Sequence, residues 1–135
     1  MSNVRFATAL HILTLLELNR EQFLSSEFIA GSININPAVV RKEISNLRAL
    51  GLVESKEGKG GGYALGKPAS KIALSDVYRS VNDLPLLGRS NTPNPNCPVG
   101  RQINVHLADL FASADTAFLK EIGKITVEDF SKKFR

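Results

Sequence analysis

Apolar residues in 3–18 recur on two helical faces. Val4, Ala7, Leu10, Leu13 or Thr14, and Leu18 share one, and Phe6, Ala9, Ile12 and Leu16 share another. A helix apolar on two sides is covered on two sides, within a domain or at a subunit contact. Asn19-Arg20-Glu21-Gln22 breaks the pattern. Ser25 and Ser26 then supply caps for a short helix carrying Phe28, Ile29 and Ala30, with Gly31 placed to end it. Asn36-Pro37 is a strong start signal, because Asn caps well and Pro fits the first helical position. Val40, Ile44, Leu47 and Leu50 follow on one stripe, and Gly51 stands where a left-handed cap belongs. Two short helices joined by a turn at Gly31–Asn36 make a helix-turn-helix.

After Gly51 the period changes from helix to strand. Leu52 to Lys56 and Gly61 to Leu65 read as two strands joined by Glu57-Gly58-Lys59-Gly60. A hairpin placed directly after such a helix is a wing, and Tyr63 and Leu65 are positioned to fold it onto the core. Ser70 to Asn82 reads as a further helix with Ile72, Val77 and Val81 inward. Asp83 to Pro98 is a Pro- and Asn-rich connection, long enough to be functional or disordered. Beyond it Ile103, Leu107, Leu110, Phe111, Ala114 and Phe118 recur every three or four residues, which predicts a long amphipathic helix. Thr126 to Asp129 has the spacing of a capping box before a last helix bearing Val127, Phe130 and Phe134.

The expected fold is therefore mainly α: a winged helix-turn-helix domain with a two-stranded wing, plus a long C-terminal dimerisation helix. The expected division is 1–82 for the DNA-binding domain, 83–97 for the loop and 98–135 for the helical dimerisation region. The long helix has more apolar surface than a nearly self-sufficient winged helix needs, so pairing with a second copy is the expected use of it.

Composition narrows the function. The 135 residues are 43% hydrophobic and carry one Cys, which supplies a core and excludes an intramolecular disulfide framework. The longest apolar stretch, Phe6 to Leu18, is interrupted by Thr8, His11, Thr14 and Glu17 and falls short of the ~20 residues that a membrane span requires. It lacks the marks of a signal peptide, so a cytoplasmic protein without a membrane partner is expected. The net charge is +4, and its position matters more than its size. Arg41, Lys42, Arg48, Lys56, Lys59, Lys67 and Lys71 face only Glu43, Glu54 and Glu57 in that window, so residues 41–71 hold the whole excess.

Gly51-Leu52-Val53-Glu54-Ser55, Gly60-Gly61-Gly62-Tyr63-Ala64-Leu65 and Ile72-Ala73-Leu74-Ser75-Asp76-Val77 together resemble the Rrf-two family of bacterial transcriptional regulators. The resemblance runs over nearly the whole chain. It implies a homodimeric repressor, paired through the long helix, that reads palindromic operators in double-stranded DNA. In cluster-binding members three cysteines of the loop ligate iron–sulphur; this chain has Cys97 alone, so no cofactor and no metal are expected. Several members also carry an Arg on the wing just before its first Gly, where this chain has Glu57.

A helix-turn-helix sets the start of its second helix against major-groove base edges. Here that start is Pro37, Ala38, Val39, Arg41 and Lys42, with Arg41 suited to guanine and Ala38 and Val39 to a thymine methyl. Ser25, Ser26, Lys42 and Arg48 are expected at phosphates, and Lys56 and Lys59 at the wing. The competing reading is a winged-helix protein-interaction module without DNA binding, in which these charges are ordinary solvated surface.

No enzyme is expected. Gly61 to Lys67 matches a phosphate-loop spacing, but Pro68 stands where a magnesium-binding Ser or Thr is required. His106 and Asp109 lack a recognised metal spacing, and a solvated polar face explains them better. Cys97, at the start of the long helix with Arg101 one turn on, is a candidate redox-sensing thiol beside the plainer reading of an inert residue near a helix cap. A small-molecule or redox effector is thus left open.

Overall fold

A computed structural model describes residues 3–135. Helix α1 spans Arg5–Leu18, α2 Ser26–Ile33 and α3 Pro37–Ala49. Strands β1 (Val53–Lys56) and β2 (Gly62–Leu65) form the hairpin. Helix α4 covers Leu74–Val81, α5 Gly100–Ile122 and α6 Val127–Ser131.

The helix-turn-helix forms as its caps dictate. Ser25 Oγ accepts from the Phe28 amide at 3.1 Å, and Asn36 Oδ1 accepts from the Ala38 amide at 2.8 Å. The expected end of α2 at Gly31 is corrected. The helix runs on to Ile33, and Asn34 takes the left-handed conformation at φ 63°. Asn tolerates that region, and the Asn34 and Ile35 amides both return to the Ala30 carbonyl, so the turn shortens to residues 34–36. At the end of α3 the Gly51 amide bonds the Arg48 carbonyl and the Leu52 amide that of Leu47, a Schellman closure with Gly51 at φ 77°.

Strands β1 and β2 pair antiparallel from Val53↔Leu65 to Lys56↔Gly62. The hairpin is fastened to the helix-turn-helix by an isolated β-bridge. Leu24 exchanges two backbone hydrogen bonds with Tyr63, of 2.9 and 2.8 Å. Gly62 permits this approach: at φ 141°, a Cβ there would stand 2.5 Å from the Leu24 carbonyl oxygen.

The helix expected over Ser70–Asn82 is also corrected. Ala69–Lys71 make one 3₁₀ turn, and α4 starts only at Leu74. The residues between are extended because they bond the C-terminal segment: Val127 donates to the Ile72 carbonyl and Leu74 to that of Ile125, both at 2.8 Å. Asp76 reaches back to the Ala73 amide at 3.0 Å and starts α4.

The core gathers Ile12, Leu13, Leu16, Ile29, Val40, Ile44, Leu47, Ile72 and Val77, and Val127 of α6 joins it. Thr126 and Asp129 form the capping box, each side chain accepting from the other's amide at 3.0 Å. The Thr126 amide first, and the Thr126 side chain second, hold the Asp129 carboxyl below the ordinary range. The buried Glu17 faces both Arg20, at 3.3 Å, and Arg135, at 3.6 Å, so the last described residue lies on α1. Helix α6 therefore packs on α1 and on the turn at Ala69–Lys71.

Helix α5 stands apart from this body. Among the described residues none of its side chains is buried. Its C-terminal half is tied to α4 by Phe118, whose ring meets Tyr78 edge-on at 4.8 Å. The loop before it lies along it: the Leu86 amide bonds Asp115 at 2.8 Å, and Asn104 bonds the Asn91 carbonyl at 2.9 Å. Among the described residues no helix is long and apolar enough to cross a membrane.

Candidate nucleic-acid interface

The stripe of α3 that faces the core consists of Val40, Glu43, Ile44 and Leu47. Glu43 is the acid of this helix, and only 7% of its side chain is exposed. Arg5 of α1 answers it with two hydrogen bonds of 3.1 Å, from Nε and Nη2. That contact raises the Arg5 pKa above its ordinary value. Asn46 extends the network by donating to the Ser80 carbonyl of α4 at 2.8 Å and to Glu43 at 3.4 Å. The buried face of α3 is thus fixed to α1 and α4 by polar as well as apolar contacts.

What remains outside carries one sign. Ala38, Val39, Arg41, Lys42, Ser45 and Arg48 are exposed, and Pro37 is half-buried. Every charge that α3 turns to solvent is basic, because its carboxylate is inside. Val39 is 51% exposed, as an apolar contact for a base edge requires. Arg41 leans toward α2: its Nη1 lies 3.6 Å from Glu27 and bonds Ser26 Oγ at 3.3 Å.

Two of the expected phosphate contacts are occupied otherwise. Ser26 is buried, and its hydroxyl donates to Glu27 while accepting from Arg41. Ser25 stays exposed, with its oxygen used as the α2 cap. Both serines, Glu27, Arg48, Lys56, Glu57 and Tyr63 line a cleft of about 260 Å³ between α2, α3 and the wing. Lys56 rests over the Phe23 ring, 5.8 Å from its centre, and Lys59 is exposed in the hairpin turn. Lys67 lies beyond the wing, in a separate hollow with Leu50, Asp76 and Arg79.

The expected dimerisation residues occupy one side of α5. Ile103 and Leu110 are exposed, and Leu107, Phe111, Ala114 and Phe118 are half-buried. A second apolar surface lies on α1. Phe6, Leu10, Leu15, Leu18, Phe130 and Phe134 border an open groove of about 480 Å³, and His11 bonds Ser32 at 2.9 Å beside it.

Cys97 is exposed, just before α5. Hydrogen bonds from the Gly100 amide, and then the Val99 amide, lower its thiol pKa below the ordinary value. Neither His106 nor Asp109 joins it in a ligand cluster, since among the described residues no three His, Cys, Asp or Glu side chains converge.

Sequence reasoning missed Arg5, Glu27, Glu43 and Asn46. Glu43 was readable, since it stands at the i+3 place of the stripe Val40, Ile44, Leu47. An acid on such a stripe demands a cation or donors from a neighbouring element. Glu27 left no comparable mark, because an acid in the first turn of a helix is ordinary.

Comparison with known proteins agrees with this geometry. Residues 2–133 match the family model Rrf2, described as "Iron-dependent Transcriptional regulator". A relative from Bacillus subtilis (strain 168), named "Putative HTH-type transcriptional regulator YwnA", is 38% identical over 130 residues, or 96% of each chain. A crystal structure called "a putative DNA binding protein" superposes with a TM-score of 0.75 at 36% identity, covering 93% of this chain and 97% of that one. CymR, the global cysteine regulator of B. subtilis, shares the fold with a TM-score of 0.69 at 24% identity, over 98% of this chain and 97% of its own. With one Cys in the sequence and no convergent ligand set among the described residues, this chain's donors do not fit a family iron–sulphur cluster.

Proposed function

Because this chain belongs to the Rrf2 family of DNA-binding transcriptional regulators, we propose that it acts as a homodimeric cytoplasmic repressor, without catalytic activity, that reads a palindromic operator through α3. The carrying observation is the one-signed exposed face of α3, made so by the inward turn of Glu43 onto Arg5. In this reading Arg41 meets guanine, Ala38 and Val39 meet bases beside it, and Lys42 and Arg48 meet phosphates. Lys56 and Lys59 bring the wing to the neighbouring backbone, while Glu57 in the cleft keeps the wing's hold weak.

Two uncovered apolar surfaces on the same chain support the dimer. In this reading the stripe on α5 and the groove on α1 are the surfaces that a second copy covers. Two copies of α3 then stand about one DNA turn apart, roughly 34 Å or a multiple of it.

Duplex binding is expected to weaken steeply with salt, since phosphate contacts release counterions. Arg41→Ala is expected to cost about 1–3 kcal/mol of discrimination at one base position. Competition of single-base operator variants by fluorescence anisotropy reads this, and an unchanged base preference removes Arg41 from the reading role.

A second reading concerns the signal. The amides of Gly100 and Val99 favour the Cys97 thiolate, which is the nucleophilic form. Titration of Cys97 in the native chain, followed by iodoacetamide alkylation against pH, is expected to show a midpoint below that of a free cysteine. The lowered pKa means that the thiolate persists at pH values where an ordinary thiol is protonated. Loss of duplex binding on peroxide treatment is expected in the wild type and absent in Cys97→Ser. Release that persists in Cys97→Ser rules the thiol out.

A further inference from the structure

We propose that Glu27 is a specificity-determining residue: paired with Arg41, its carboxylate accepts from the N4 amino group of a cytosine within one base step of the guanine that Arg41 reads. The inference rests on the α3 reading above and adds a second helix to it.

Three observations meet here. Glu27 lies in the first turn of α2 and Arg41 in the second turn of α3, with Oε2 and Nη1 3.6 Å apart. Both side chains are exposed, so both are free to meet a groove. The buried Ser26 hydroxyl joins them from beneath, donating to Glu27 Oε2 and accepting from Arg41 Nη1, each at 3.3 Å. The two helices thus present a cation and an anion side by side, on a shared support.

Stability does not explain this arrangement, because an exposed ion pair contributes little. Electrostatics alone opposes it, since a carboxylate at the edge of the recognition helix repels phosphates. The chemistry of a G·C-containing step fits it. Guanine offers O6 and N7 to a guanidinium, and cytosine offers the N4 amino group to a carboxylate. Arg41 has five N–H donors, so it can keep Glu27 and Ser26 while reaching guanine with the rest. The same carboxylate weakens binding wherever no amino group meets it. It therefore lowers affinity for unrelated DNA and widens the gap to the correct site.

The test uses the full chain. Wild type first selects duplexes from a randomised pool. Wild type, Glu27→Gln, Glu27→Ala and Arg41→Ala are then measured against every single-base change in the selected half-site, at one salt concentration. Retained helical circular dichroism and melting temperature show that each variant is folded. The selected half-site is expected to hold cytosine within one step of the guanine lost by Arg41→Ala. Discrimination for that cytosine is expected to fall about tenfold in Glu27→Ala and less in Glu27→Gln, whose amide oxygen still accepts. Binding of both to an unrelated duplex is expected to strengthen. A cytosine preference that survives in Glu27→Ala, or one absent from the wild-type site, overturns the inference while leaving α3 as the reader. A pool from which wild type enriches nothing overturns the α3 reading itself, and this inference with it.

Discussion

Ile103→Glu combined with Leu110→Glu is expected to convert the protein from a dimer to a monomer and to lower operator affinity by about 10²–10⁴, the usual scale for losing a second linked site. Both positions are exposed in the single chain and one heptad apart on α5. Neither side chain supports the monomer's core, so the substitution leaves the winged helix folded. Two carboxylates on the apolar stripe, however, cannot be desolvated in a subunit contact without partners. Sedimentation velocity reads the mass, and anisotropy with a two-half-site duplex reads the affinity. A doubly substituted chain that still sediments as the wild type does would remove Ile103 and Leu110 from any subunit contact.

Arg5→Ala is expected to destabilise the fold by about 1–3 kcal/mol, the cost of leaving a buried acceptor without its partner. The Glu43 carboxylate would keep only Asn46, at 3.4 Å. Arg5 is itself half-exposed, so water can replace part of what is lost, and the figure stays below that for a fully buried pair. Replacing both partners by apolar residues, Arg5→Met with Glu43→Leu, is expected to recover most of the loss, because no buried charge is then left over. Urea melts of the two single variants and the double variant measure the coupling. Additive effects would mean that the two side chains do not act together. Duplex affinity of the recovered double variant is expected to stay near wild type, since neither side chain is part of the outward face of α3.

The helix-turn-helix was legible because its signals are local. Asn36-Pro37 starts α3 and Gly51 closes it, and each works through bonds within a few residues. The two strands of the hairpin were likewise readable, but not their register: a turn of Glu57–Gly60 sets Lys56 against Gly61, whereas Lys56 pairs with Gly62. What the sequence hid was a choice between two local caps and a set of long-range bonds. The α2 end moved past Gly31 because Asn34 offered a better left-handed cap with two amides to close on Ala30. Ile72 and Ala73 left the helical pattern because residues 125–127, half a chain away, claim their backbone groups. At the interface the exposed basic residues could be placed by period alone. The partners that fix the helix and orient Arg41, namely Arg5 on the buried Glu43 and Ser26 on Arg41, lie on other helices, and no periodicity within α3 reveals them.

The return of the chain to α1 after the long helix has a mechanical consequence. Val127 and Ile125 lock the far end of α5 into the folded body, whereas its near end carries only the loop with Cys97. At 1.5 Å per residue, such a helix is about 34 Å long, and a hinge at its far end would make it a lever. A tilt of about 5° at the hinge would sweep its free tip through about 3 Å, close to one residue's rise along a strand. Small changes of angle near Gly123 would thus become shifts of whole-residue size at the loop. A push of a few ångströms at the loop, conversely, reaches the winged helix as a gentle rotation with little deformation.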